Sequence, residues 1–405
     1  MTLIRPFSGL RPAEGRADEV VAPPYDVLTS DEARQRAEGR PWSFLHISKP
    51  EIDLPEGTDP YAAEVYKMAA DNLQHMLEEG VLVRDEGLFY YVYRLKMGKH
   101  SQTGLVAAAC VADYDTNRIR KHEFTRPDKE DDRVRQIEAL HAQTGPVLLA
   151  YESDAGVDTM LADVTRGRPD VDLVADDGIG HTLWVVKDAG LIGKITAAFD
   201  AMKALYIADG HHRSAAACRV AASHADVESA AYFLTVIFPH RQMQILDYNR
   251  AVRDLAGMST EEFLARVVEA FTVTPADGAV HPDGPGVFGM YLAGQWYRLD
   301  IRVERFPDDP VGKLDVSLLA SNLLAPVLGI DDPRRDKRID FIGGIRGLAE
   351  LERRVDSGDM AVAFSMYPTS MDDLMAVADA AEVMPPKSTW FEPKLADGLV
   401  SHVLD

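Results

Sequence analysis

Cysteine is scarce in this 405-residue chain: there are only two, Cys110 and Cys218, far apart and each in an apolar setting, "VAAACVADY" and "SAAACRVAA". A disulfide framework or a cysteine zinc site needs more thiols at closer spacing, so the expectation is two buried thiols. Long apolar runs are missing as well. No stretch of about 18 apolar residues occurs, so no membrane span and no membrane partner are expected. The opening "MTLIRPFSGLRPAEGRADEVVAPPYDV" lacks the apolar core of a signal peptide, which reads as a cytoplasmic protein. Positive charge is also short, with 43 Lys+Arg against 65 Asp+Glu and a formal net charge of -22. A surface of that sign repels a phosphate backbone, and no basic helix-turn-helix candidate occurs, so nucleic acid is not an expected partner. Repeats and low-complexity segments are absent too. The charge leaves the oligomeric state open.

What is present is a globular composition, 46% hydrophobic, on a chain long enough for two or three domains. Composition suggests an α+β N-terminal segment over 1–104, a mixed α/β core over 105–256 and an α+β C-terminal segment over 257–405. In the first, "DEARQRAEG" reads as a helix capped by Thr29 or Ser30. "DPYAAEVYKMAADNLQHMLEEG" reads as an amphipathic helix closed by Gly80, and "GLFYYVYRLKMG" with "HSQTGLVAAACVADYD" as paired strands. The core alternates buried strands and helices: "PVLLAYES", "AGLIGKITAAFDAM", "KALYIADG", "RSAAACRVAASHA", "AAYFLTVIFPH". A helix is expected near Asp131. Past Gly257 comes a helix, a Gly/Pro-rich linker, "PADGAVHPDGPG", and further strands and helices. The tail "VMPPKSTWFEPKLADGLVSHVL" is too apolar to be free and is expected to pack on the body.

The informative phrase is "LYIADGHHRSAAA". An apolar strand stops at Asp209, turns through Gly210 and enters a helix. A helix start presents unpaired N–H groups and the positive end of the helix dipole, which favour an anion. Gly210 lets the chain bend and lets a ligand approach the backbone. Arg213 offers a planar fork of donors suited to phosphate oxygens. His211 and His212 are donors that change charge near neutral pH. Asp209 can orient a histidine, hold magnesium or take a proton. These parts suit phosphate transfer. The alternatives are solvated loop histidines or a zinc site; adjacent residues rarely point at one metal, and no His-x-x-x-His partner is in range.

A second polar island, "IRKHEFTRPDKEDDR", also follows a strand. Glu123 beside His122 can act as a general base if the fold shelters it. Thr125, Arg126 and Arg133 can face phosphate. The plain alternative is a charged surface loop. "VAPPYDV" offers Tyr25 and Asp26 either to a pocket or as a rigid entry to the first helix. In "KSTWFEPK" the aromatic residues read as packing anchors, with Lys387 or Lys394 as candidates to meet a ligand.

Taken together, "VAPPYDV", "KHEFT…DDR", "YIADGHHRSAAA", "MQILDYNRAVRDL" and "MPPKSTWFEPK" resemble a family known as domain of unknown function 1015, over nearly the whole chain. The middle third is similar to the sulfiredoxin/ParB-like nucleotide-binding fold, whose members hold phosphates on a Gly-x-His-Arg turn, matched here by Gly210, His212 and Arg213. Within it the chain resembles free serine kinase, which has a His-Glu pair upstream of the same Asp-Gly-His-His-Arg phrase; here the pair is His122–Glu123. The resemblance implies an α+β protein with a sulfiredoxin/ParB-like core and a kinase using ATP or ADP, with Mg²⁺ on Asp209 or Glu123. The acceptor would be a small hydroxylated metabolite such as free serine. It implies catalytic roles for Glu123, Asp209 and His211, and phosphate contacts from Gly210, His212, Arg213, Arg126 and Arg133. Tyr25, Asp26, His122 and Thr125 would line the pocket. Many more residues separate the two islands here than in the kinase. Sulfiredoxin chemistry is not expected, because His211 stands where a cysteine would be needed. A nucleotide-binding switch without transfer and a phosphate-ester hydrolase are the other readings. The kinase reading requires Glu123 and Arg213 to line one cavity.

Overall fold

The computed structural model describes residues 1–405 and shows an α+β protein with four sheets. By internal contacts the chain forms two compact units, Met1–Met243 with Pro393–Asp405, and Gln244–Glu392. This differs from the three-part division expected from composition. The expected boundary at 104/105 falls inside one continuous strand, and the second unit starts before Gly257 because "MQILDYNRAV" supplies its strands.

The first unit is built on a nine-stranded sheet. Its strands are β1 (Ile4–Arg5), β2 (Tyr90–Met97), β3 (His100–Cys110), β4 (Ile119–Arg120), β5 (Val147–Tyr151), β6 (Val171–Val174), β7 (Gly180–Val186), β8 (Leu205–Asp209) and β9 (Tyr232–Pro239). The order across the sheet is β4-β8-β5-β9-β3-β2-β7-β6, and β1 also pairs with β3. Most pairings are antiparallel, but β4 runs parallel to β8 and β9 parallel to β5. The central strands β5 and β9 are mostly apolar and every residue of both is buried, the pattern of strands covered on both faces. Their core includes Leu105, Leu149, Ile207, Phe233, Ile237 and, from the helix α3 (Ala189–Asp200), Ile195 and Phe199.

Local rules explain the helices. Thr29 and Glu32 form the reciprocal capping box expected before the helix Ser30–Ala37. The amphipathic helix α1 (Ala63–Glu78) buries Val65, Tyr66, Ala69, Leu73 and Met76. Helix α2 (Pro127–Leu140) starts earlier than its charge pattern suggests, because Pro127 occupies the first turn, where its missing N–H is no loss. Helix α4 (His211–Ser223) follows β8 directly. The tail packs, as expected: Ser401–Val403 pairs with Gly9–Pro12 and Ala142–Gln143 in a small sheet. Cys110 is buried, but Cys218 on α4 is only partly covered, and both are free thiols.

The second unit has a six-stranded antiparallel sheet in the order Phe271–Ala276, Gln295–Ile301, Val287–Leu292, Val362–Ser365, Tyr248–Val252, Ile339–Gly343. A two-stranded pairing of Gln244–Leu246 with Trp390–Glu392 accompanies it. No helix of the chain is long and apolar enough to cross a membrane.

Gly104 shows how closely the main sheet is covered. A Cβ there would lie 2.5 Å from the Ile237 carbonyl oxygen and 2.7 Å from the Phe238 ring. Gly104→Ala is therefore expected to destabilise the protein by about 1–3 kcal/mol through overpacking. An unchanged urea midpoint would contradict that close approach.

Candidate functional site

The two polar islands meet because the strands that carry them are parallel neighbours. Ile119 pairs with Leu205 and Arg120 with Tyr206. Both chains therefore leave the sheet at the same edge, one into residues 121–126 and the other into Gly210. Gly210 adopts a left-handed conformation, φ 96°, that a side chain would strain. It is the N-cap of α4, and no side chain caps it. The first-turn amides of α4 therefore have no intrahelical acceptor and no side-chain cap.

On one side of this turn lie His122, Glu123 and His211. The two imidazoles pack edge to face with ring centroids 4.5 Å apart. The His122 backbone N–H donates to His211 Nε2 at 3.4 Å. That places the proton of a neutral His211 ring on Nδ1, which stands 3.8 Å from Glu123 Oε2. Burial holds His122 at about 4 and His211 well below the ordinary value, with each other's proximity adding to the effect on His211. Both are neutral at neutral pH, so the contact with Glu123 is not an ion pair. Glu123 itself is half-exposed.

On the other side lie Asp209, Arg213, Asp26 and Lys394. Arg213 Nη1 donates to the Pro146 carbonyl. Its Nη2 is 3.6 Å from Asp26 and 3.8 Å from Asp209. Asp209 accepts the Gly210 N–H at 2.8 Å and faces Lys394 Nζ at 3.5 Å. Burial works against the Asp209 carboxylate, but Lys394, Arg213 and His211 together hold it down at about 2.

Two recesses open on this side, and Arg213 belongs to both. The larger encloses about 490 Å³ including its mouth and is lined by Tyr25, Ser48, Arg133, Thr144, Arg213 and Asp397 among others. The smaller is lined by Pro24, Asp26, Leu148, Asp209, Arg213 and Lys394 among others. In the larger, the Arg133 guanidinium stacks 4.0 Å from the Tyr25 ring centroid and is held by Asp132 at 2.7 Å.

The expected residues thus separate into two groups that flank one turn. Glu123 and His122 line neither recess, so the single cavity shared by Glu123 and Arg213 is replaced by two faces of the Gly210 turn. His212 uses Nε2 to accept the Arg126 backbone N–H at 3.1 Å, which pins the loop after β4. The Arg126 side chain lies at the surface, paired with Asp128. Thr125 is half-buried and lines neither recess. A magnesium ion on Asp209 or Glu123 would meet competition at either residue. Asp209 already serves Gly210, Lys394 and Arg213, and Glu123 groups with two histidines instead. The meeting of His122 with His211 is not legible in the adjacent pair His211–His212, since the other imidazole arrives from the segment after the neighbouring strand.

Asp397 escaped the sequence reading. It is 2% exposed and is placed by a backbone bridge to Ala22. The signal was an acid in a buried, apolar tail. Burial pushes its carboxyl up to about 7, with Arg213 and Arg133 pulling down and Asp26 pushing up.

A family model described as "Protein of unknown function (DUF1015)" matches residues 4–317, and the chain belongs to this family. No curated protein matches it. Among solved structures it is similar to a conserved hypothetical protein from Pyrococcus furiosus, at 13% identity and TM-score 0.35, covering 73% of this chain and 95% of that one. It is similar to a free serine kinase in complex with AMP, at 12% identity and TM-score 0.36, covering 73% of this chain and 92% of that one. It is also similar to SbnI with a C-terminal truncation from Staphylococcus aureus, at 12% identity and TM-score 0.38, with 72% and 85% covered. These likenesses are too distant to assign an activity.

Asp397 yields a test of the site's electrostatics. An acid whose folded pKa is raised stays protonated in the native state while the unfolded chain ionises it. Native stability therefore falls as pH rises from the ordinary 3.8 towards about 7. Asp397→Asn should abolish this slope. Between about pH 5 and 7 the wild type should lose up to about 1.4 kcal/mol per pH unit relative to the variant in urea unfolding. Parallel pH profiles for the two proteins would refute it.

Proposed function

We propose that the chain is a nucleotide-dependent phosphotransferase with a sulfiredoxin/ParB-like core, moving a phosphoryl group to the hydroxyl of a small acceptor such as serine. The observation that carries this reading is the parallel pairing of β4 with β8. It sets an acid, Glu123, and a cation, Arg213, on opposite sides of an uncapped helix start; the two share no enclosed recess, so the nucleotide itself, lying across the turn, has to bridge the two faces. Phosphates lie across the first turn of α4, met by its amides and by Arg213. ATP or ADP serves as donor.

The chemistry asks little covalent work of the protein, because positioning and charge stabilisation carry phosphoryl transfer. Arg213 is suited to it because its only close bond is to a backbone carbonyl, while its two carboxylate neighbours stand back at 3.6 and 3.8 Å. An incoming phosphate can displace those loose pairings. Glu123 accepts the acceptor's hydroxyl proton. The neutral His211 ring, with its proton on Nδ1, orients that carboxylate. His212 acts on the backbone of Arg126 and so sets where Glu123 sits. A magnesium ion arriving with the nucleotide would meet Asp209 only in competition with Lys394 and Arg213.

The test is a transfer assay with ATP and ADP against serine and other small alcohols. Glu123→Gln should keep the nucleotide dissociation constant and lower turnover about 10²- to 10⁴-fold, the usual effect of removing a base. Wild-type turnover in that variant sinks the assigned role. Nucleotide binding with no phosphorylated product would mark a switch instead, and phosphate release from O-phosphoserine without nucleotide would mark a hydrolase.

A further inference from the structure

Phosphoryl transfer as drawn above uses the Glu123 carboxylate but leaves the enclosed pair of imidazoles largely unexplained. His122 and His211 are 2% and 4% exposed. Each offers a ring nitrogen, and Glu123 an oxygen, all within 4.8 Å of one another. The His122 Nδ1 is sealed from solvent with no hydrogen-bond partner. A buried polar atom left unpaired is costly, and a ligand on it would remove that cost.

We propose that His122, Glu123 and His211 bind a borderline divalent cation of the zinc type, through one nitrogen of each ring and one carboxylate oxygen. Two imidazoles and a carboxylate suit such an ion, whereas magnesium prefers an all-oxygen shell. Metal–ligand distances near 2.1 Å at tetrahedral angles put the donors about 3.4 Å apart. The donors, within 4.8 Å of one another, therefore have to close in by up to about 1.4 Å. Glu123 is half-exposed on the loop after β4, and its solvent side leaves a coordination position for water. Ligation through His211 Nδ1 shifts that ring's proton to Nε2 and gives up the long 3.4 Å contact with the His122 N–H. Asp209, at the end of β8, favours positive charge at both rings, while His212 and Arg213 oppose it at His211. Burial keeps both rings neutral, the form that coordinates metal.

The site does not depend on phosphoryl transfer, and its test uses the metal ion alone. The full-length protein, stripped with a chelator, is titrated with Co²⁺ and Zn²⁺ by calorimetry and visible absorption, without nucleotide. One equivalent should bind, with Co²⁺ bands displaced by Zn²⁺. Glu123→Gln, a change at a half-exposed side chain, should weaken binding by about 10- to 100-fold. His122→Asn and His211→Asn should each remove the bands, with circular dichroism verifying that the fold survives. His224→Asn, outside the cluster, should bind like wild type. Binding that is absent, or that Glu123→Gln leaves unchanged, overturns the site. If a histidine variant unfolds, the Glu123→Gln result decides alone. Metal binding without any transfer would instead count against the phosphotransferase reading, so the two fail separately.

Discussion

Four residues of backbone pairing carry the site. Ile119 and Arg120 lie parallel to Leu205 and Tyr206, and a parallel register sends both following segments off the same edge of the sheet. Had β4 run antiparallel to β8, His122 and Glu123 would have emerged at the opposite end. The pairing is short, so it relies on what surrounds it. Ile119 and Leu205 are both fully buried in the main core, and a one-residue slip would turn those side chains outward and expose them.

Around that junction Arg213 and Arg133 are held differently. Arg213 has one firm acceptor, Pro146 O, and two acids held beyond hydrogen-bond reach. Arg133, by contrast, is bonded closely to Asp132 and stacked on Tyr25. The contrast separates a positioned, structural cation from one with spare capacity. A loosely paired guanidinium beside an uncapped helix start is what an arriving anion requires, because little has to be broken before new bonds form.

Much of this was legible in the sequence, and the exceptions share a cause. Capping at Thr29, the amphipathic face of α1 and the strand–glycine–helix turn at Gly210 are local events, fixed by residues a few positions apart. The contact between His122 and His211 depends on strand order, which local patterns do not encode. The same holds for Lys394 and Asp397, which reach Asp209 and Arg213 from a segment far along the chain. The three-part division departed from the structure for a related reason. Composition shifts at Gly257, but the second unit recruits Tyr248–Val252 as an inner strand, and the chain later returns to complete the first unit.

That return has a consequence for how the molecule is made. Residues 393–405 supply a strand of the small sheet, the partner of Ala22 and a cation facing Asp209. The first unit must therefore wait for the whole of Gln244–Glu392 to be translated before it can close. At ordinary elongation rates that delay is on the order of ten to thirty seconds. During it the nascent unit has an open sheet edge and an unfinished anion site, so a ribosome that stalls within the insert releases a polypeptide that cannot assemble this centre.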